Sequence, residues 1–300
     1  MMFKSFCIGT CEGGGRAERR LPFTPRADAT FAPFEVSDPF GLRRAIVPVF
    51  RRDSQGWIYG MGTAFHVEGW DAFLTTQHVV DFVGAHEPLG LVPGRLLELD
   101  AKGDQPILYL GLNGVVFGQV DVPDEAFASV AEVIYPMQEN DDPLAKLQGR
   151  SAIEAVADVA VMRAKYHPRA SLPHTLRVRG SAWTPTIGEY VLAAGYATLN
   201  CQVLDENERR ALLEEGMYGA YARVTGVHPN GRNSSHPTPV FEVEGDWRSG
   251  MSGGPVFDSN GEVVGLVSRS LPPDGTNSGI GWAVDLPYLR DVVNSLRHRT

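Results

Sequence analysis

The sequence predicts an all-β protein built in two halves. Two observations carry that reading. Short runs rich in β-branched and aromatic residues recur along most of the chain, separated by polar turns. The chain also holds 33 glycines and 21 prolines in 300 residues, a turn-rich composition suited to many short strands. Strands and helices do not alternate, which argues against an α/β nucleotide fold. With 43% hydrophobic and 21% charged residues the chain can bury a core, so wholesale disorder is excluded.

Residues 1–40 read as an irregular arm rich in Gly, Arg, Pro and Phe, docked through Phe31, Phe34 and Phe40. From Arg44 the strand signals begin: AIVPVF, GTAFHV and AFLTTQHVV, continued by ILYLGL and GVVFGQVDV. Residues 121–152 are less regular, and Asp124 is placed to cap a short helix through EAFASVAEV. ADVAVMRA closes the first series. AKYHPRASLPHTLRVRG, with Pro168 and Pro173, reads as an interdomain linker. The second series is EYVLAAGYA, ARVTGV, PVFEVEG, GPVFD, EVVGLVS and GIGWAV, with a charged helical insert from Asp205 to Glu215. Leu286, Leu289, Val292, Val293 and Leu296 recur at helical spacing, with Pro287 in the first turn and Arg297 and Arg299 at the carboxyl end. The organisation is therefore an arm at 1–40, a first β-domain at 41–170 with an insertion around 85–150, and a second at 171–300 ending in a helix.

Charge and cysteine content remove several function classes. The formal net charge is −9, so the surface repels phosphate backbones and nucleic acid is not expected as a ligand. No apolar run approaches the roughly 18 residues of a membrane span, so no membrane partner is expected. The amino terminus, MMFKSFCIGTCEGGGRAERR, lacks the apolar stretch of a secretory signal. Cys7, Cys11 and Cys201 are too few and too odd for a disulfide framework. Together these predict a cytoplasmic location. Cys7 and Cys11 have no matching Cys/His pair nearby, so neither a metal nor another cofactor is expected.

The chemistry concentrates in GMSGGPVFDSNGEVVGLVS, residues 250–268. Ser252 sits between Gly250 and the pair Gly253–Gly254. Glycines permit the sharp turn that exposes a nucleophilic hydroxyl, and the Gly250 and Ser252 amides can then converge on an oxyanion. The bland alternative is a glycine-rich hairpin loop with an incidental serine. A serine needs a base, and His78 in TTQHVV supplies one. Asp158, opening the apolar strand ADVAVM, is costly to bury unless hydrogen-bonded, and holding a histidine N–H satisfies it. Taken alone, His78 reads more often as a satisfied core histidine, and the lesser alternative for Asp158 is a strand-start turn residue. The order His78, Asp158, Ser252 is that of the chymotrypsin triad.

On GTAFHV with FLTTQHVV, ADVAVM, TIGEYVLAAGYA, GMSGGPVFD with EVVGLVS, and GIGWAVDLP, the chain resembles trypsin/chymotrypsin-like serine proteases over roughly residues 45–295. Within them it is similar to the bacterial group that includes the HtrA protease domain. The resemblance implies two chymotrypsin-like six-stranded β-barrels, an active site in the interbarrel cleft and a C-terminal α-helix. It also implies hydrolysis of peptide bonds through an acyl-enzyme, with His78 and Asp158 on the first barrel and Ser252 on the second. His66 in GTAFHV reads as a surface strand residue, and Asp81 points elsewhere.

Departures from the family pattern shape further expectations. The interval of 80 residues between His78 and Asp158 is long, so the 85–150 insertion reads as a lid or a partner-docking surface. Met251 stands where zymogen-type relatives carry an Asp, so activation by amino-terminal cleavage is not expected. The chain ends at Thr300, so no PDZ domain is expected. Asp246, six residues before Ser252, falls at the base of the primary specificity pocket in trypsin-like relatives, and reads otherwise as a loop acid. Ser268, Arg269 and Ser270 align with the wall that pairs with substrate backbone. Arg269 is unusual there and favours an acidic neighbour or narrows the cleft. Val267 argues against glutamate specificity, and Gly279 borders the pocket opposite. The expected function is an intracellular serine endopeptidase acting on protein or peptide substrates, controlled by a regulatory partner or ligand, by analogy in bacterial stress or phage defence. The alternatives are a non-cleaving peptide-binding regulator on the same fold and an esterase at the same site.

Overall fold

A computed structural model describes residues 7–12, 15–20, 31–36, 42–56, 58–82, 95–98, 104–110, 117–121, 126–139, 153–155, 157–166, 174–179, 183–205, 210–233, 238–291 and 294. The arm contributes β1 (Cys7–Glu12), β2 (Gly15–Arg20) and β3 (Phe34–Glu35). One helical turn, α1 (Leu42–Ala45), leads into β4 (Ile46–Arg52), β5 (Ile58–His66) and β6 (Phe73–Thr75), and a 3₁₀ turn follows at Gln77–Val79. Next come β7 (Arg95–Glu98), β8 (Gln105–Tyr109), β9 (Phe117–Asp121), β10 (Phe127–Tyr135), β11 (Met137–Glu139), β12 (Ile153–Ala155) and β13 (Ala160–Lys165). The connector strand is β14 (Thr175–Leu176). The second half is β15 (Tyr190–Asp205), β16 (Arg210–His228), β17 (Val240–Glu244), β18 (Pro255–Phe257), β19 (Val263–Leu271) and β20 (Ile280–Asp285).

Two sheets close on themselves. The first runs β13-β6-β5-β4-β8-β10 and closes through β10–β13, with β7 added on β10. The second runs β15-β18-β19-β20-β17-β16 and closes through β15–β16, with β3 and β9 added on β16. These are two six-stranded antiparallel barrels, the all-β architecture the resemblance implies. Closure leaves no long unpaired edge and gives each barrel an inward apolar row. Val47, Ala64, Phe73 and Met162 fill the first. Val191, Phe241, Trp247 and Val264 fill the second. Ile46, Phe65, Leu192, Tyr196 and Leu266 share a third cluster that packs the barrels together. There the Tyr196 hydroxyl donates to the Ile46 carbonyl at 2.9 Å. Among the described residues no helix is long and apolar enough to cross a membrane.

Several local expectations differ from the fold. EAFASVAEV is strand β10 rather than a helix. Ala128 and Val130 are buried with Ser129 exposed between them, and the strand pairs with β7, β8 and β13. Asp124 lies outside the described residues. Of the segment predicted as a helical insert, Asp205–Glu215, Asp205 ends β15 and residues 210–215 begin β16, while residues 206–209 lie outside the described residues. β16 is held by β15 on one side and by β9 on the other, so two ladders outweigh a helix propensity of a few tenths of a kcal/mol per residue. The arm is not irregular throughout. β1 and β2 form a hairpin, β1 pairs with β14, and β3 pairs with Tyr218–Gly219 of β16. Phe31 lies against Tyr190 at 6.2 Å and Phe34 against Tyr221 at 5.5 Å; Phe40 lies outside the described residues.

The described end of the connector, residues 174–179, is pinned to both barrels, and Pro168 and Pro173 lie outside the described residues. Leu176 bridges to Val67 and Val178 to Val263, while the Arg179 guanidinium donates to the buried Asp258 carboxylate. At the carboxyl end Leu286 and Leu289 are buried, and Arg290, Asp291 and Asn294 are helical. Val292, Val293 and Leu296 of the expected helix lie outside the described residues, as does most of the 85–150 insertion.

Candidate active site

β6 carries the chain into the 3₁₀ turn at Gln77–Val79, where buried Val79 anchors one side and His78 stays partly open. Asp158 lies two residues before β13, which pairs with β6 and so brings the two together. The His78 Nδ1 is 3.0 Å from both Asp158 carboxylate oxygens, and the His78 backbone N–H donates to Oδ1 at 3.2 Å. The Ser268 hydroxyl donates to Asp158 Oδ2 at 2.6 Å. The Asp158 backbone N–H in turn donates to the Thr238 hydroxyl at 2.9 Å, so both barrels hold this carboxylate. Burial pushes the Asp158 carboxyl up, but the His78 bonds and charge and the Ser268 bond outweigh it and the net shift is downward. The carboxylate therefore stays ionised and holds Nδ1–H, which leaves Nε2 as the free face of the ring.

The nucleophile turn has an almost complete hydrogen-bond account. Gly250 has φ +90° and Gly253 φ +82°, conformations that favour glycine. A Cβ at Gly250 would collide with the Tyr196 carbonyl, and one at Gly253 with Thr63 and Thr75. The Met251 N–H donates to Arg248 O, Gly253 N–H to Val267 O and Gly254 N–H to Met251 O, at 3.1, 2.8 and 2.8 Å. The Gly250 carbonyl accepts from the Thr63 hydroxyl and the Ser252 carbonyl from the Thr63 N–H, at 2.9 and 2.8 Å. Two amides are left over: Gly250 and Ser252 N–H donate to no acceptor among the described residues. The Ser252 hydroxyl donates to the Ser268 carbonyl at 3.1 Å.

The residues expected to read the substrate lie around this turn. Asp246 sits 4.0 Å from Arg248 Nε, and the Arg248 guanidinium lies 5.1 Å from the Tyr218 ring centre. Gly279 approaches the backbone beside Asp246, accepting from the Gly245 N–H at 3.1 Å. Trp247 is buried against Gly281, and its indole N–H has no partner among the described residues. A register shift between Val267 and Arg269 turns Ser268 inward and leaves Arg269 exposed. Arg269 stands opposite Trp282, on whose ring the Arg232 guanidinium stacks at 3.6 Å. Ser270 pairs with Gly281 further along the same strands.

One residue falls differently from the sequence reading: His66 is buried rather than at the surface, because its ring stacks on Phe73 at 4.9 Å and its Nδ1 meets the His174 carbonyl at 3.2 Å. Met251 is fully buried in the second-barrel core. The Ser268 side chain donates to Asp158, and its carbonyl accepts from the Ser252 hydroxyl. Thr63 and Thr238 escaped the sequence reading. The only signal for Thr63 was its place in GTAFHV beside the nucleophile motif of another barrel, which sequence distance hides.

Residues 62–266 match the family model described as the trypsin-like peptidase domain. Two closed β-barrels are the fold of the trypsin-like serine proteases, and the chain belongs to the trypsin-like peptidase family. Among curated relatives, a probable periplasmic serine endoprotease DegP-like of Pseudomonas savastanoi pv. phaseolicola is 29% identical over 170 residues, covering 52% of this chain and 30% of its own. One of the same name from Pseudomonas putida strain W619 is 26% identical over 186 residues, covering 60% and 33%. The chain thus spans about a third of the length of these relatives. A solved structure, an HtrA-type protease AlgW with decapeptide, is 16% identical over 86% of this chain and 65% of that chain, with a TM-score of 0.47.

The relatives overturn the expected cytoplasmic location, since they are named as periplasmic enzymes. The physical ground for that expectation was thin. A chain that closes two barrel cores needs no disulfide framework, so sparse cysteines do not report on the compartment.

Proposed function

We propose that the chain is a serine endopeptidase of the periplasm that cleaves peptide bonds through an acyl-enzyme at Ser252. The carrying observation is the chain of contacts from Ser268 to Asp158 to His78 beside a serine turn with two unspent amides. In this reading the Ser252 hydroxyl leaves the Ser268 carbonyl, gives its proton to His78 Nε2 and attacks the scissile carbonyl. The oxyanion that forms takes the Gly250 and Ser252 N–H groups. His78 then passes the proton to the leaving amine, and water repeats the sequence to release the acid. Asp158 keeps its charge throughout and stabilises the imidazolium.

Substrate backbone pairs with Ser268–Ser270, beside Gly279. Asp246 lies at the pocket base, where its loose pairing with the half-exposed Arg248 yields to a basic substrate side chain. Arg269, which makes no ion pair among the described residues, favours an acidic side chain upstream. Met251 offers no carboxylate to a new amino terminus, so control falls to a partner or ligand.

The second reading is a peptide-binding regulator that does not cut, favoured by the Ser252 hydroxyl being engaged by Ser268 O. Labelling with a fluorophosphonate probe, with peptide turnover measured on wild type and Ser252→Ala, separates the two. Labelling and turnover that vanish together in Ser252→Ala support the protease. An unlabelled, inactive wild type that binds peptide overturns it.

A further inference from the structure

The first barrel holds the oxyanion site of the second through one residue. Thr63 on β5 is fully buried and makes four hydrogen bonds that together leave none of its polar groups idle. Its hydroxyl donates to Gly250 O at 2.9 Å and accepts from the Tyr196 N–H at 2.9 Å, the one donation and one acceptance a threonine hydroxyl balances best. Its N–H donates to Ser252 O at 2.8 Å. Its carbonyl accepts from the Thr75 hydroxyl at 2.7 Å, on the strand that leads to His78. Thr63 therefore grips the carbonyls on both sides of Met251 and ties them to the histidine-bearing strand and to Tyr196 of the second barrel.

The peptide planes show what this grip does. The 250–251 plane is fixed at both ends, by Thr63 Oγ1 and by Arg248 O. The 252–253 plane is fixed at both ends, by Thr63 N–H and by Val267 O. Between them lies the 251–252 plane, whose carbonyl takes the Gly254 N–H and whose Ser252 N–H stays free. Its rotation is confined because both neighbouring planes are locked. There is also no slack for it to move into. A Cβ at Gly195 would lie 3.0 Å from Thr63 Oγ1, and one at Gly62 would lie 2.8 Å from Ser252 O.

We propose that Thr63 is a positioning residue for catalysis: by locking the peptide planes on both sides of it, Thr63 sets the direction of the Ser252 amide, one of the two oxyanion donors, toward the oxyanion without touching substrate. This rests on the serine-protease reading above. Valine matches threonine in shape but lacks the hydroxyl, so Thr63→Val frees Gly250 O and strands the Tyr196 N–H while keeping the backbone bonds. Displacement of catalytic groups by about 1 Å can lower rates by about 10²-fold. The expected result for Thr63→Val is a kcat reduced about 10- to 100-fold with KM within about threefold, the pattern of a group that acts in the transition state. Thr63→Ser, which retains the hydroxyl, recovers kcat to within about threefold of wild type.

A peptide boronic acid supplies the second readout. It forms an oxygen–boron bond with Ser252 as the serine proton moves to His78, and the tetrahedral adduct presents an oxygen to the same two amides. Its inhibition constant weakens in step with kcat/KM for Thr63→Val. A residue that only stabilises the fold shifts the melting temperature and leaves kcat per labelled site and boronate affinity alone, and that result overturns the inference. Should Thr63→Val not fold, Thr75→Val carries the test. It removes the bond that orients Thr63, and is expected to lower kcat several-fold at constant KM; wild-type kcat there overturns the inference. An inactive, unlabelled wild type instead refutes the protease reading itself.

Discussion

The serine turn at 250–254 and the segment at 246–249 before it are adjacent in sequence, and their polar groups are held in different ways. In the turn, backbone groups are fixed by Thr63, Val267 and Arg248 through hydrogen bonds of 2.8 to 3.1 Å, most of them buried. Leaving one such group unpaired costs about 1–3 kcal/mol, so the turn has one geometry. In the neighbouring segment Trp247 is anchored in the barrel core, while the Asp246 side chain is held only at 4.0 Å from Arg248, whose side chain is 47% exposed and rests on the Tyr218 ring. An exposed pair of this kind contributes about 0–1 kcal/mol. In the proposed protease, chemistry thus rests on a fixed backbone, and selectivity on side chains that can be exchanged without disturbing it.

The sharpest break in the turn is chemical. Ser252→Ala removes the hydroxyl without steric change, so turnover is abolished and the melt is unchanged. His78→Ala is similarly inactive, and the double variant is no worse than either, because the two act as a unit. Retained turnover in Ser252→Ala refutes the nucleophile.

Asp158→Asn comes next. Asn presents an amide where the His78 ring donates, which favours the wrong tautomer. In the chymotrypsin triad the same change costs about 10⁴ in kcat, and a loss of that order is expected here. Steady-state kinetics within about tenfold of wild type, with an unchanged circular dichroism melt, refute Asp158 as the orienting group.

On the loosely held side, Asp246→Ser is expected to shift preference away from Arg and Lys by several-fold to about 10²-fold, while probe labelling of Ser252 persists. A positional-scanning peptide library on both proteins measures this. An unchanged profile makes Asp246 a loop acid.

The smallest expected effect lies outside both segments. Asp285 is 6% exposed, and burial pushes its carboxyl up to about 6. A raised acid destabilises the folded state as pH rises from about 4 to about 6, because the unfolded chain loses its proton first. Asp285→Asn keeps an acceptor for the Tyr288 N–H and removes the charge. The variant should gain on the order of 2–3 kcal/mol at pH 7 and lose that advantage by about pH 4, with turnover unchanged. Thermal melts at the two pH values test it.

Much of this was legible in the chain. GMSGGP announces the turn because only glycine tolerates the +90° and +82° backbone angles at 250 and 253, so the requirement is local. The strand runs beside His78 and Asp158 were equally plain, since a short apolar run bounded by polar residues is a local signal. Helix-like EAFASVAEV and the charged 205–215 stretch misled because propensity is weak and the deciding partners, β8, β13 and β9, lie far away in sequence.

Sequence alone therefore determined the all-β, two-barrel class, and it nominated His78, Asp158 and Ser252 for the chemistry. Only the tertiary structure decided the wiring between them. Thr63 grips a turn 187 residues away, Ser268 reaches back 110 residues to Asp158, and Thr238 meets the Asp158 amide across 80. Hydroxyls of this kind carry no pattern of their own, and closing the barrels is what brings each within hydrogen-bond reach of its partner.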